Sequence, residues 1–314
     1  MPAALLPQLL LKMEIKPKEI ILIDIGSTSI KPYHFKKQKL TALTMKSLPL
    51  KDGFTPELGL SQSNKDQLFA KIATVMSTYK NAETHVYATA LFRRMTAAAA
   101  LRTKQEFKNR LGVKLTIISH PKENKYLELA VTGKYMAKDS VLFINIGGGS
   151  TEVVVLKESR SIKTQNINLG VGNLNAEYPL INQKGKVIYD QVKEYIKPFL
   201  KKNKINCKVA FITGGELTYM QRAKYPLQKN TLFNDNDHPL MITYLDSTKR
   251  NQEIFASFTL RDLEELIPEN PTWTHGTRAF LALADAICEQ YQAEIVVPSN
   301  ANLINGIVRA HFNW

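Results

Sequence analysis

Residues 140–171 read SVLFINIGGGSTEVVVLKESRSIKTQNINLGV, and residues 20–50 read IILIDIGSTSIKPYHFKKQKLTALTMKSLPL. The two stretches align without a gap when Asp24 is set opposite Asn145, 121 residues further along the chain. Each begins as an apolar strand, which a loop rich in glycine and serine connects to a second strand. A turn at a charged patch then leads into a third strand. A repeat at this long spacing predicts two similar domains rather than a short-period solenoid.

The rest of the chain alternates helical and strand-like segments, which is typical of an α/β protein. Ser63 followed by Asp66 has the pattern of a capping box and predicts a helix start there. His85–Ala90 is predicted as a short strand. The predicted helices include Thr96–Leu111 (which Gly112 can end), Glu123–Met136, Val187–Lys202 and Leu303–Phe312.

Length and composition narrow the class of protein. The 314 residues suffice for two domains that each bury a core. No apolar run approaches the roughly 20 residues that cross a bilayer, and the apolar stretch before Lys12 lacks the features of a signal peptide. Cys207 and Cys288 show no metal-site or disulfide pattern. We therefore expect a cytoplasmic protein without a membrane partner, and a loose or helical extension over residues 1–18.

The charge balance points to an anionic partner. The net charge is +14, from 42 basic and 28 acidic residues, and such a surplus attracts polyanions. The sequence has neither zinc-finger spacing nor an RNP-like aromatic pattern, so we expect no specific nucleic-acid partner. A phosphate-rich small molecule or polymer would use the same charge.

Both copies of the repeat place a Gly/Ser-rich loop directly after an apolar strand, in Asp24–Ser29 and in Asn145–Glu152. Glycines let the backbone approach an anion closely, and successive N–H groups with hydroxyls can cradle phosphate oxygens. A carboxylate or amide at the strand end can hold a hydrated Mg²⁺ beside that phosphate. Ile212-Thr-Gly-Gly215 suits a further nucleotide or phosphate contact. The candidate phosphate-binding residues are Gly26, Ser27, Thr28, Ser29, Gly147, Gly148, Gly149, Ser150, Gly214 and Gly215.

These loops resemble those of the actin/sugar-kinase/Hsp70 superfamily, and further motifs are similar to those of the exopolyphosphatase/guanosine pentaphosphate phosphatase (Ppx/GppA) family. The resemblance runs from about Ile20 to His311. It implies two duplicated actin-like (ribonuclease H-like) α/β domains with mixed sheets and a cleft between them, the first over 19–132 plus 302–314 and the second over 133–301. The motifs that carry it are Ala88-Thr-Ala-Leu-Phe-Arg93, Ile117-Ile-Ser-His-Pro-Lys-Glu123, Asn145–Glu152, Arg278-Ala-Phe, Ile295–Ser299 and Gly306-Ile.

The resemblance implies a role for each matching position, beside an ordinary structural alternative. Glu123 matches the family's general base, which activates water for in-line attack on a terminal phosphate; its alternative is a carboxylate that stabilises a helix N-terminus. Arg93 matches a phosphate clamp, or is a surface residue after an edge strand. Glu152 matches a carboxylate near the metal and the water, and Lys31 a basic residue after the first loop. The implied ligands of a Mg²⁺ cofactor are Asp24, Asn145 and Glu152.

Several positions depart from the family pattern, and two of them bear directly on the candidate ligands. Asn145 stands where the family has Asp, which removes one negative charge from the metal site. Glu216 follows Gly214-Gly215 where relatives usually carry Thr, and an acid there repels phosphate unless a cation intervenes.

Three functions remain open at this point. The first is Mg²⁺-assisted hydrolysis of a terminal phosphoanhydride in inorganic polyphosphate or guanosine pentaphosphate. The second is a catalytically weak or inactive binder of guanosine penta- or tetraphosphate, nucleotide or polyphosphate, which the two departures favour. The third is a small-molecule kinase, which would need a substrate-binding insert and a different base that the sequence lacks. The sequence leaves open whether the chain forms a homodimer.

Overall fold

A computed structural model of the protein describes residues 19–132, 139–158, 160–202, 204–232 and 238–312. The predicted extension over residues 1–18 lies outside this range, as do the predicted end of a helix at Met136 and residues 313–314.

The first half of the chain forms a six-stranded mixed sheet. Its central strand, Glu19–Ile25, pairs antiparallel with Ser29–Lys36 and parallel with Glu83–Ala88. The strands are β1 Glu19–Ile25, β2 Ser29–Lys36, β3 Lys39–Ala42, β4 Lys46–Ser47, β5 Glu83–Ala88 and β6 Leu115–Ile117, and the helices are α1 Gln62–Thr78, α2 Ala90–Arg93, α3 Ala97–Leu111 and α4 His120–Thr132. The strand order is β3-β2-β1-β5-β6, with β4 paired to β2.

The second half forms a seven-stranded mixed sheet. The strands are β7 Val141–Ile146, β8 Thr151–Lys157, β9 Arg160–Ile167, β10 Val209–Thr213, β11 Gln228–Lys229, β12 Leu240–Thr243 and β13 Ile295–Pro298. Their order is β11-β12-β13-β10-β7-β8-β9. The helices are α5 Val171–Glu177, α6 Tyr189–Ile196, α7 Glu216–Arg222, α8 Tyr244–Ser257, α9 Leu260–Leu266, α10 Thr277–Gln290 and α11 Leu303–His311, with 3₁₀ turns at Lys197–Phe199 and Pro271–Gly276.

The two halves repeat one another. In β1–β2 the register sets Asp24 opposite Lys31, and in β7–β8 it sets Asn145 opposite Glu152. The first strand of each unit also pairs parallel with a later strand, β5 in one sheet and β10 in the other. The predicted α/β fold with two duplicated units, each built on a mixed sheet, is confirmed.

Two neighbouring helices connect the sheets. Leu127 of α4 is fully buried in an apolar cluster with residues of the second sheet, among them Phe143. Ile304 of α11 is fully buried in a cluster with Leu22 and other residues of the first sheet. The helices cross at Gly306, where an added Cβ would lie 1.7 Å from the backbone oxygen of Tyr126. A glycine is therefore required for this close approach.

Apolar burial holds each sheet in place. Ile21, Leu22 and Ile23 in β1 are fully buried, and Leu142 and Phe143 are their counterparts in β7. Each such side chain contributes about 1.5–3 kcal/mol relative to an exposed position. Because consecutive residues of these strands are buried, both faces of each sheet are covered, and the polar loops at the strand ends are left as the accessible part. Within the described ranges no helix is both long and apolar enough to cross a membrane.

Several local predictions need correction. The first helix is capped by Ser61, whose hydroxyl accepts from the N–H of Asn64, so the predicted start at Ser63 is wrong. The helix predicted over Val187–Lys202 spans only Tyr189–Ile196 and ends in a 3₁₀ turn, because Pro198 has no N–H to continue it. The predicted strand over His85–Ala90 ends at Ala88, and Arg93 lies on the short helix α2.

Candidate active site

In each unit one loop follows the first strand, and the two loops match in conformation. In the first loop, Gly26–Ser29, the N–H of Gly26 donates to the backbone oxygen of Ser29 at 2.9 Å. In the second, Gly147–Ser150, the N–H of Gly147 donates to the oxygen of Ser150 at 2.8 Å. The sequence repeat therefore extends to the hydrogen bond that closes each loop.

The loops face each other at close range. A Cβ added at Gly148 would lie 3.0 Å from the side chain of Thr28, and one added at Gly149 would lie 2.9 Å from Oγ of Ser27. Side chains at these glycines would hold the loops apart. The two loops thus bound one cleft, in which backbone N–H groups from both units are within reach of a single anion.

The cleft has a volume of about 550 Å³. It contains most of the residues that the sequence predicted as phosphate or metal ligands, and two lie elsewhere. Gly215 lines an adjoining cavity of about 410 Å³, which shares Lys31 and Gly214 with the cleft. Arg93 lies behind the lining, bonded to Glu123. The predicted residues that line the cleft are Asp24, Gly26, Ser27, Thr28, Ser29, Lys31, Glu123, Asn145, Gly147, Gly148, Gly149, Ser150, Glu152 and Gly214.

Four carboxylates of the cleft are buried. Asp24 is 8% exposed, Glu123 5%, Glu152 1% and Glu216 3%. Burial raises the pKa of Asp24, against the opposing charge of Lys31. Burial also raises the pKa of Glu216 to about 8. Carboxylates this far from water are stabilised as anions only by a cation or by hydrogen-bond donors.

Glu123 and Glu152 form a pair around Arg93. An Arg93 Nη1–H donates to the backbone oxygen of Ile118 at 3.1 Å and to Oε2 of Glu123. Nη2 of Arg93 lies 3.9 Å from Oε1 of Glu152. Burial and the nearby charge of Glu152 raise the pKa of Glu123, and the Arg93 charge and hydrogen bond oppose this shift.

Arg93 has hydrogen-bond donors that these contacts do not use. Its Nε and Nη2 are buried without a hydrogen-bond partner in the described part of the chain. A guanidinium presents several N–H donors in a fixed plane, and phosphate oxygens fit that plane in a bidentate manner. Because Arg93 does not line the cleft, its side chain must turn away from Glu123 for these donors to meet a phosphate between the loops.

Asn145 and Glu152 form a hydrogen-bonded network with two hydroxyl residues. Nδ2 of Asn145 donates to Oε2 of Glu152 at 2.9 Å, and the hydroxyl of Ser150 donates to Oε1 at 2.8 Å. The hydroxyl of Thr213 donates to Oδ1 of Asn145 at 3.3 Å. Burial raises the pKa of Glu152, and the bonds from Ser150 and Asn145 work against that rise. The amide of Asn145 thus supplies a donor to a buried carboxylate that would otherwise need a cation.

The donor set is compatible with Mg²⁺. Oδ1 of Asp24 is buried and has no hydrogen-bond partner among the described residues, and Asn145 and Glu152 line the same cleft. Within those residues no group of three or more His, Cys, Asp and Glu side chains could hold a metal ion. Mg²⁺ commonly uses one or two carboxylates and completes its shell with water and substrate phosphates. The site fits that mode of binding.

Sequence reasoning missed three residues of this region. Lys51, in the segment after β4, donates from Nζ to the backbone oxygen of Gly148 at 2.9 Å and so ties the first unit to the second loop. Burial, and to a lesser extent Arg94, lowers the pKa of Lys51. Thr213 and Trp273 also line the cleft. Thr213 lies in the Ile212-Thr-Gly-Gly215 motif, of which only the two glycines were predicted as ligands, whereas Lys51 and Trp273 are isolated residues that no sequence pattern identifies.

Comparison with known proteins shows the family of the chain and proteins of similar fold. The sequence model of the Ppx/GppA phosphatase family matches residues 65–256. A crystal structure of the Aquifex aeolicus Ppx/GppA family member is 18% identical, covers 94% of this chain and 97% of its own, and superposes with a TM-score of 0.67. An exopolyphosphatase from Cytophaga hutchinsonii is 12% identical, with coverages of 94% and 98% and a TM-score of 0.75. No match was found among curated protein sequences.

Proposed function

Because the chain belongs to the Ppx/GppA phosphatase family, we propose that it is a phosphohydrolase that cleaves a terminal phosphoanhydride bond in inorganic polyphosphate or guanosine pentaphosphate. The observation that carries this proposal is the buried Glu123 carboxylate, bonded to Arg93 and adjacent to Glu152, beside a cleft between two glycine loops. The reaction transfers the terminal phosphoryl group to water.

The chain's own residues support each part of that reaction. Backbone N–H groups of the two loops hold the phosphate chain, and the free donors of Arg93 bind the terminal phosphate. Glu123 orients the attacking water and takes its proton. Since a base works best when its pKa lies near the operating pH, the raised pKa of Glu123 suits this role.

Mg²⁺ is the proposed cofactor, held by Asp24 and Glu152 with Asn145 beside them. When bound, it would neutralise charge on the phosphate oxygens. The carboxylate of Glu152 also accepts hydrogen bonds from Asn145 and Ser150. We further propose a cytoplasmic location, in which the buried, unpaired Cys207 and Cys288 stay reduced.

The decisive test is phosphate release with Mg²⁺ from long polyphosphate, guanosine pentaphosphate and ATP. Glu123→Gln should lower turnover by about 10²–10⁴-fold, because a positioned base is lost. Ligand affinity should be largely retained, since the loop N–H groups and Arg93 are unchanged. Glu128→Gln on the same helix, where Glu128 pairs with Lys125, is the matched control. Equal turnover of the wild type and Glu123→Gln would exclude Glu123 as the base.

A second candidate function is a binder of the same ligands with slow or no turnover. One observation favours it. Asn145 donates its amide to Glu152 at 2.9 Å and so satisfies a carboxylate that would otherwise require a cation. A cleft that holds phosphate without a firmly bound metal would capture its ligand and release it intact. Ligand binding without phosphate release from any of the three substrates would support this alternative.

A further inference from the structure

The outer strand of the first sheet, β6, has an open edge. It pairs parallel with β5, and no second strand of the described ranges pairs with it. The N–H of Ile118, the residue after β6, donates to the backbone oxygen of Ala88 at 2.9 Å. Since the backbone groups of alternate residues point to opposite sides of a strand, the N–H and C=O groups of Leu115 and Ile117 face the open edge. These groups are placed to pair with another extended chain.

A groove of about 530 Å³ lies beside this edge, between β6 and α3. Its apolar lining includes Leu115, which is buried, and Leu101 of α3, which is 69% exposed. The groove shares no lining residue with the cleft between the two glycine loops. An exposed leucine beside open backbone groups offers an incoming strand an apolar contact as well as hydrogen bonds.

The groove is basic. Lys104 and Lys108 line it from successive turns of α3, and Lys114 lines it from the residue before β6. No Asp or Glu lines the groove, and none of these three lysines forms an ion pair within the part of the chain that the structure describes. The nearby acid of α3, Glu106, pairs with Lys65 instead. Three cations without a balancing acid favour an anionic partner.

Lysines on an edge strand also have a protective role, because they discourage pairing with other chains. Lys114 is placed for that role. Lys104 and Lys108 are not, since they lie on the helix and flank the groove rather than the strand. The opposite edge of the same sheet, β3, shows the difference, because it has no buried apolar residue. The combination of groove, exposed leucine and helix lysines therefore indicates binding rather than protection alone.

We propose that the groove between α3 and β6 is a docking site for an extended acidic segment of a partner protein, which adds to β6 as a further strand. Its backbone would pair with Leu115 and Ile117, its carboxylates would meet the three lysines, and an apolar side chain would contact Leu101. In strand addition the main-chain bonds supply affinity and alternate side chains supply specificity. The inference is independent of the proposed hydrolysis, because the groove and the cleft share no residue.

The test uses a defined probe and the full chain. The probe is a fluorescein-labelled, terminally blocked heptapeptide of alternating glutamate and valine, and its binding is read by fluorescence anisotropy. The same peptide with lysine in place of glutamate should not bind. N-methylation of the two central residues keeps every side chain but removes the N–H that faces β6 in either register, so affinity should fall about fivefold or more. Hydrogen exchange over residues 113–117 should slow when the parent peptide binds, because the open N–H groups become bonded.

Charge reversal in the groove gives the second arm. The double variant Lys104→Glu/Lys108→Glu should raise the Kd of the acidic peptide tenfold or more, because attraction becomes repulsion. Both lysines are exposed, so the fold is not at risk. The matched control is Lys39→Glu/Lys46→Glu, which makes the same change of charge at exposed positions of β3 and β4, away from β6. The control should bind the peptide nearly as the wild type does.

Three results would overturn the proposal. If the N-methylated peptide binds as tightly as its parent, the groove attracts anions by charge alone, as it would attract inorganic polyphosphate. If the groove variant and the control lose affinity equally, the peptide responds only to the net charge of the chain. If the wild type binds no peptide and exchange over residues 113–117 is unchanged, the lysines only protect the edge.

Discussion

Replacing Glu216 with Gln should stabilise the ligand-free protein at alkaline pH and change little in acid. Burial holds the pKa of Glu216 at about 8, against 4.5 for an ordinary glutamate. Since the folded-state pKa is the higher one, the folded state binds this proton more tightly than the unfolded state. The contribution of protonated Glu216 to the stability of the wild type is therefore complete below pH 4.5 and is lost as the pH rises towards 8.

The size of the effect follows from the two pKa values. One pKa unit is worth about 1.4 kcal/mol, so the complete penalty is on the order of 5 kcal/mol. Near pH 5 the penalty is under about 1 kcal/mol, and by pH 9 it approaches its limit. The neighbouring Tyr219 does not obscure this range, because burial raises its pKa far above that of free tyrosine and it stays neutral.

Urea unfolding at pH 5, 7 and 9 measures the difference directly. The free energy of unfolding of Glu216→Gln should exceed that of the wild type by an amount that grows with pH. The Glu265→Gln control changes an acid that is 63% exposed, and its difference from the wild type should stay flat. A Glu216→Gln difference that is constant with pH, or that shrinks as the pH rises, would refute the assignment of Glu216 as a buried, unpaired acid.

Three further perturbations test other parts of the structure. Asn145→Asp removes the amide donor to Glu152. Without Mg²⁺ the variant should therefore melt at a lower temperature than the wild type, and Mg²⁺ should raise the melting temperature of the variant by more than that of the wild type. An identical response to Mg²⁺ would contradict this. Lys51→Met removes the bond to the second loop, so hydrogen exchange over residues 147–150 should accelerate; unchanged exchange would contradict it. Gly306→Ala sets a methyl group 1.7 Å from the backbone oxygen of Tyr126. The free energy of unfolding, measured by calorimetric melting, should therefore fall by about 3 kcal/mol or more unless α11 shifts.

The parts of the fold that sequence predicted are those with a local pattern. The gapless repeat around Asp24 and Asn145 predicts the two units, because strand alternation and loop glycines are patterns of consecutive residues. The helix from Ala97 was equally predictable, since Thr96 accepts from the N–H of Ala99 and Gly112 ends the helix at φ +69°. Each of these features depends on contacts within a few residues.

The parts that sequence could not predict depend on distant contacts. Lys51 bonds to a loop 97 positions along the chain, and Ser47 donates to Asn270 across 223 positions. Neither side chain belongs to a loop motif, so only the folded arrangement reveals these two contacts. Glu216 was noted in sequence as a departure from the family. Its burial in the cleft, which gives that departure a chemical meaning, is visible only in the structure.

The position of α11 has a consequence for the order in which the chain folds. The face of the first sheet that carries Ile20, Leu22 and Tyr33 packs against Ile304 and Ile307, near the other end of the sequence. During synthesis from the N-terminus, every strand of that sheet is complete long before its covering helix leaves the ribosome. A wide apolar surface is then exposed while the whole second unit is made. This interval is when the nascent chain is most open to aggregation and most dependent on a chaperone.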